Sequence, residues 1–242
     1  MSLSEIRSLL YPTHCVCCGT GTSEICPRCE ILLLTYRSVI SLQEKPLYAA
    51  LHYNEISSHL ILSAKESNDR AAARYLASLI AMRFNRLHRE LGFTQYILVP
   101  IPSSKKADKR RGYSHTVLLG KLVAREVQRN LALRCRVERW LSPNRPIADQ
   151  SALSARERRS NIHGAFTARP GIKPGGSGII LIDDLVTTGS TMGEGIRALK
   201  MASCEPDALL SACLAGRFLT NKIGPSLQDV GIFVKKEEPW HF

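Results

Sequence analysis

The sequence predicts an α/β fold: a parallel sheet, a small N-terminal four-cysteine segment and an adjoining helical region. Three observations predict it. Short apolar runs at 95–100, 179–182 and 207–214 alternate with helix-length amphipathic segments, the order expected of strand–helix–strand units in a parallel sheet. The 179–182 run, Ile-Ile-Leu-Ile, has no polar alternation, as in a strand buried on both faces. Two Cys-x-x-Cys pairs, Cys15 with Cys18 and Cys26 with Cys29, stand seven residues apart near the N-terminus.

Four zones follow along the chain. Residues 1–30 are rich in cysteine, 31–95 read as mostly helical, 96–215 alternate strand and helix, and 216–242 form a mixed tail. The expected division is a cysteine segment over 1–45, an α/β domain over 46–220 and a C-terminal tail over 221–242. Asn68 or Asp69 can cap a helix over 70–91, with Leu76, Leu79, Ile80 and Leu87 on one face and Gly92 as its stop. Gln95 to Pro100 is a short strand closed by Pro100 and Pro102. Ser114 can cap a helix over 115–130, and 134–141 alternates as a strand would. Ser154 can open a short basic helical turn, and 191–203 forms the helix after the 179–182 strand.

Composition narrows the function. The 242 residues carry 33 Lys and Arg against 21 Asp and Glu, a net charge of +12, with 44% hydrophobic and 22% charged residues. Those proportions fit a globular chain and exclude a disordered or collagenous one. No apolar run approaches the roughly 20 residues a membrane span needs, so no membrane insertion is expected. Glu5 and Arg7 interrupt the start of the chain, which reads as lacking a signal peptide and as cytoplasmic. The eight cysteines are then expected to be reduced or to hold metal. The basic excess favours a polyanionic partner, either nucleic acid or a phosphorylated metabolite.

Each Cys-x-x-Cys pair curls the chain so that two thiolates face one point, and two such knuckles complete a tetrahedron around Zn²⁺. Cys15, Cys18, Cys26 and Cys29 are the expected ligands of a structural zinc ribbon, since four thiolates leave no position for water or substrate. Cys17 is an alternative to Cys15, and His14 is a further candidate. Cys135, Cys204 and Cys213 lie in apolar segments and read as core residues.

The most informative stretch is Ile179-Ile180-Leu181-Ile182-Asp183-Asp184-Leu185-Val186-Thr187-Thr188-Gly189-Ser190-Thr191. An apolar strand ends in two carboxylates, then a small hydroxyl-rich loop opens a helix. Ligands of open α/β sheets bind beyond the carboxyl ends of strands. Val186, Thr187, Thr188, Gly189, Ser190 and Thr191 can offer backbone N–H groups and hydroxyls to an anion at a helix N-terminus. Asp183 and Asp184, one loop away, can accept hydrogen bonds from vicinal hydroxyls. The whole suits a ribose 5-phosphate, and the absence of Gly-x-x-x-x-Gly-Lys-Ser/Thr argues against a nucleoside-triphosphate loop.

This segment resembles the phosphoribosyl diphosphate (PRPP) signature of type I phosphoribosyltransferases. The wider chain is similar to the ComF family of bacterial competence-associated proteins, on the cysteine knuckles, Leu98-Val99-Pro100-Ile101-Pro102, Arg110-Arg111-Gly112-Tyr113, and the stretch from Gln150-Ser151-Ala152-Leu153 to Gly164-Ala165-Phe166. The resemblance implies a type I phosphoribosyltransferase-like fold. It places the 5-phosphate on 187–191, the ribose hydroxyls on Asp183 and Asp184, and the diphosphate on the 100–104 turn with Pro102 and Ser103. Residues 142–165 would be the loop that closes over the substrate. Mg²⁺ would arrive on the diphosphate, consistent with its reluctance to dehydrate. Two departures stand out. The family's Arg-Gly-Phe-Asn-Gln is here Arg111-Gly112-Tyr113-Ser114-His115, and Glu66-Ser67 replaces the aromatic and glycine usual after Lys65.

Lys105, Lys106, Lys109, Arg110 and Arg111 form one basic cluster, and Arg156, Arg158 and Arg159 another, with Arg145 upstream. Guanidinium forks match phosphate oxygens. In a phosphoribosyl transfer, Arg111 and Arg158 would stabilise the departing diphosphate while Asp183 and Asp184 offset the charge developing on ribose, with the acceptor unidentified. A different class of reading keeps the fold but makes the protein a DNA-uptake factor of natural transformation that binds single-stranded DNA or a competence helicase, with Tyr113 available to stack a base. A glutamine-dependent amidophosphoribosyltransferase is the weaker reading, because no N-terminal nucleophile domain is present in the sequence.

Overall fold

The computed structural model describes residues 14–20, 24–35, 38–66, 69–145 and 161–215. The helices are α1 (Pro27–Thr35), α2 (Glu55–Glu66), α3 (Arg70–Leu91), α4 (Lys105–Arg111), α5 (His115–Leu131) and α6 (Ser190–Met201). The strands are β1 (Ser38–Leu42), β2 (Lys45–His52), β3 (Gln95–Pro100), β4 (Arg134–Val137), β5 (Leu141–Pro143), β6 (Phe166–Ala168), β7 (Gly178–Val186) and β8 (Ala208–Leu214). Six of these strands make one sheet in the order β1-β2-β8-β7-β3-β4, parallel throughout except for the β1–β2 hairpin. The fold class is therefore the one expected: mixed α/β with a mainly parallel sheet, helices and a cysteine cluster at the N-terminal end.

Local chemistry explains most elements. Asp69 Oδ1 accepts from the backbone N–H groups of Ala71 and Ala72, and Gly92 closes α3 in the left-handed conformation at φ 72°. Leu76, Ile80, Phe84 and Leu87 of α3 are fully buried along one face. The apolar run of β7 sits between β8 and β3, with Ile180, Leu181 and Ile182 all at 0% exposure, as a doubly covered strand requires. Two apolar layers result. One joins the sheet to α2, α3 and α5, and the other joins it to α6 with Trp140 and Phe166.

Two segments differ from the sequence reading. Residues 38–52 form a hairpin inside the zone read as mostly helical. Its turn uses Gln43 and Glu44 at positive φ (49° and 64°), residue types that carry no hairpin signal, and β2 finds its second partner far downstream in β8. Residues 134–141 are not one strand. β4 pairs with β3 over 134–137, after which burial of Trp140 and Leu141 in the second layer pulls the chain off the sheet edge and into the β5–β6 pair.

The connections position the site. β3 leads through α4 to α5 on one face of the sheet, and β7 leads to α6 on the other. Because β3 and β7 are hydrogen-bonded neighbours, a crevice opens where their connections diverge, beyond the carboxyl ends of the strands. Among the described residues no helix is long and apolar enough to cross a membrane.

Candidate functional site

Asp183 and Asp184 lie in the C-terminal half of β7 and are 7% and 6% exposed. Asp183 Oδ1 accepts the backbone N–H of Asp184 at 2.9 Å. Asp184 faces α2 and α5: Lys65 Nζ lies 2.6 Å from its Oδ2, and His115 Nε2 lies 3.8 Å from the same oxygen. The two carboxyls are driven apart. Burial, and then the charge of Asp184, raises Asp183 well above the ordinary carboxylate range. Burial pushes Asp184 up as well, but Lys65 and then His115 more than reverse it, so Asp184 stays low and ionised. Burial works against the Lys65 ammonium, yet the Asp184 carboxylate wins and raises it.

The turn after the acidic pair has the form the sequence suggests. Gly189 adopts φ 75°, and its carbonyl accepts the Gly193 N–H at 2.8 Å to start α6. A Cβ at Gly189 would meet Leu42 Cδ1 at 2.6 Å, so glycine is required both by the backbone and by the hairpin tip packed on it. Thr188 Oγ1 accepts from the Ser190 N–H at 3.3 Å and lies 2.9 Å from Ser190 Oγ. The first turn of α6 carries no acidic residue, and its N-cap, Gly189, has no side chain to cap it. Thr187, Thr188, Ser190 and Thr191 are half-buried and Val186 is buried. The turn is thus at the carboxyl edge of its strand and reachable, at a helix N-terminus whose dipole favours an anion.

The 101–104 loop after β3 stands beside it. Ile101 N–H donates to Ile182 O at 2.9 Å, and Thr116 Oγ1 donates to Ile101 O at 2.7 Å, tying this loop to β7 and α5. Ser104 caps α4, and Pro102 and Ser103 are half-buried. A cavity of about 280 Å³ is lined by Pro102, Ser103, Asp108, Ser114, Arg139 and Ser142, among others.

Of the basic residues, Arg111 is brought to the site in an unexpected state. Its side chain is 6% exposed and is engaged by Glu66 at 3.2 Å and Asp108 at 3.3 Å. Arg110 also pairs with Glu66, at 2.6 Å. The Arg111-rich turn is therefore anchored to α2 through Glu66, one of the two positions where the chain departs from the ComF pattern. Arg156, Arg158 and Arg159, the Ser154 turn, the 146–160 part of the expected 142–165 closing loop, the tail over 221–242 and the side chains of Lys105 and Lys106 lie outside the described residues. Lys65 and His115 had no role in the sequence reading. Their signal is tertiary, since two helices distant in sequence converge on one carboxylate.

The cysteine cluster forms as spaced. The Sγ atoms of Cys15, Cys18, Cys26 and Cys29 all lie within 4.8 Å of one another, with Cys18 and Cys26 at 3.8 Å. A tetrahedron of Zn–S bonds of about 2.3 Å has edges of about 3.8 Å, so the four thiols fit zinc. The Cys26 N–H donates to Cys15 Sγ at 3.3 Å. Burial raises the Cys15 thiol, but backbone N–H groups, first that of Cys26, bring it down to about 6. Gly19 at φ 70° turns the first knuckle. Cys17 stays outside the quartet. It is buried, burial pushes its thiol up to about 12, and its carbonyl lies 2.7 Å from His59 Nδ1 on α2.

Fold and site together define an α/β protein with a mainly parallel sheet, a buried acidic pair at its carboxyl edge and a cysteine quartet able to hold zinc. The chain is similar to ComF-type competence and DNA-utilization proteins. It is 27% identical to competence protein ComFC of Bacillus subtilis over 76% of this chain and 70% of that protein. Competence protein F of Haemophilus influenzae is 27% identical over 83% of each chain. DNA utilization protein YhgH of Escherichia coli is 28% identical over 74% of this chain and 81% of that one. No family model matches the chain. Among solved structures, a Trypanosoma cruzi hypoxanthine phosphoribosyl transferase aligns at a TM-score of 0.37 with 12% identity, covering 64% of this chain and 69% of that one.

Proposed function

We propose that the protein binds Mg-PRPP in the β3–β7 crevice and serves DNA uptake in natural transformation, as its similarity to competence and DNA-utilization proteins suggests. The observation that carries the binding is the turn at 186–191, where a left-handed glycine opens the N-terminus of α6 a short loop after an ionised, buried carboxylate. In this reading 187–191 take the 5-phosphate, Asp183 and Asp184 take the ribose hydroxyls, and Pro102 and Ser103 border the diphosphate with its Mg²⁺. If turnover occurs, the C1–O bond to diphosphate breaks. Arg111 and Arg158 then stabilise the leaving anion, the Asp184 carboxylate, with Asp183 beside it, offsets the positive ribose, and an acceptor takes the phosphoribosyl group. The cysteine quartet holds a structural zinc. Calorimetry with Mg-PRPP tests the site. The double change D183N/D184N removes the ionised Asp184 acceptor and the protonated Asp183 carboxyl and should weaken binding on the order of 100-fold or more. Unchanged affinity in that variant would falsify the assignment.

A second reading, capture of single-stranded DNA or of a helicase-type partner on the same fold, is favoured by exposed Lys121, Arg125, Arg134 and Arg139 along α5 and the β4 edge. A steep fall of single-strand affinity with salt supports it, and no binding at low salt removes it.

A further inference from the structure

His115 is the least explained polar group in the described molecule. It is 1% exposed, and neither ring nitrogen has a hydrogen-bond partner among the described residues. Buried polar groups are ordinarily paired, so an imidazole with both nitrogens idle calls for a state of the protein in which they are used. The carboxylate facing the ring is Asp184, whose Oδ2 is 3.8 Å from Nε2, too far for a hydrogen bond and close enough to become one with a small shift. That oxygen is already taken by Lys65 at 2.6 Å. Lys65 keeps a third of its side chain in solvent, so its ammonium is free to swing toward an incoming anion, whereas His115 at the start of α5 is enclosed.

We propose that His115 is the reserve partner of Asp184: when a phosphorylated ligand draws Lys65 away, the imidazole takes a proton from solvent and donates it as a hydrogen bond to Asp184. This rests on the PRPP-site reading above and specifies how the site balances its charge. The groups acting on the ring are Asp184 of β7 and Glu66 of α2, which favour the proton, and Lys65 of α2 and Arg111 of α4, which oppose it. Burial is the largest influence and holds the ring neutral in the empty site. Departure of Lys65 removes one opposing cation and leaves Asp184 without its counter-charge, and both effects draw a proton to His115. Asp184 stays ionised throughout and can accept from a ribose hydroxyl. A glutamine at this place could donate to the carboxylate without a proton change, so the proton uptake is a property of the histidine.

The test is calorimetry of Mg-PRPP binding at pH 7 in buffers of different ionisation enthalpy, on the full chain and on H115Q. The wild-type protein should take up more protons per ligand than H115Q, by a difference approaching about one proton. The readout is protons taken up per ligand bound, which is compared between the two proteins whatever the affinity of H115Q. Equal uptake by the two proteins overturns the proposal while leaving the PRPP site standing. Absence of Mg-PRPP binding by the wild type overturns the site and this proposal with it. If H115Q fails to fold, H115N supplies the comparison, and wild-type binding without net uptake still counts against the idea.

Discussion

Replacing Asp184 and replacing Asp183 have opposite expected consequences, because the protein keeps the two in different protonation states. Asp184 has a folded value below the unfolded value of about 3.9, so its contribution is present above that pH and is lost as pH falls through the lowered folded value. Asp183 is the reverse. Its folded value is raised, so the folded state holds a proton the unfolded chain releases, and stability declines as pH climbs from about 4 toward the raised value. D184N should therefore lose about 1–2 kcal/mol at pH 7, less than for a fully buried pair because Lys65 is partly in water. D183N should be as stable as wild type or more so at pH 7, with a flatter stability–pH profile. Urea midpoints at pH 4 and pH 7 decide this, and a D183N loss equal to that of D184N would contradict the assignment. Gly189 gives a second case. G189A forces a side chain into left-handed backbone and against Leu42, so it should destabilise by about 1–3 kcal/mol, with L42A recovering only the contact part. Asp183, Asp184 and Gly189 were legible in the sequence because a strand, an acidic pair and a glycine turn are consecutive. The states of the carboxyls were not, since they depend on Lys65 and His115 from elsewhere in the chain.

Elements were readable where their ends carry local chemistry. α3 begins at Asp69 and stops at Gly92 because the cap and the left-handed glycine satisfy the terminal backbone groups. D69A should cost about 1 kcal/mol in urea unfolding, with a larger loss implying that Asp69 also supports Ser63 and the end of α2. The β1–β2 hairpin was unreadable for the converse reason. Its turn has neither glycine nor asparagine, and its place in the sheet is decided by a parallel partner, β8. α2 shows a third kind of limit. Its sequence announces a helix, but nothing in it announces that His59 reaches the Cys17 carbonyl while Lys65 and Glu66 reach Asp184 and Arg111. With the cysteine quartet as its neighbour, α2 is expected to loosen when metal is stripped. Metal analysis should find one zinc per chain, and chelation should lower Tm, while C26S should show the lower Tm without chelator.

At the scale of the whole molecule, the crevice draws on parts that are far apart in sequence. β3 and β7 supply its floor, α6 its N-terminus, α2 the lysine, α5 the histidine, and the hairpin tip backs the glycine turn through Leu42. A ligand seated there engages both apolar layers, so its binding energy should appear as global stability and not as the ordering of one loop. Mg-PRPP at about 100 times its Kd should add about 2.7 kcal/mol. For a chain of this size that corresponds to a rise in Tm of roughly 5–11 °C. Ribose 5-phosphate should give a smaller rise at the same concentration, because it engages the 187–191 turn and the acidic pair but not the 101–104 loop. Adenosine, with ribose hydroxyls and no phosphate, should give almost none. Differential scanning fluorimetry across the three ligands ranks these contributions. A rise with adenosine equal to that with ribose 5-phosphate would mean that the glycine turn is not gripping a phosphate, and loss of the Mg-PRPP and ribose 5-phosphate responses in D183N/D184N would place the recognition on the acidic pair.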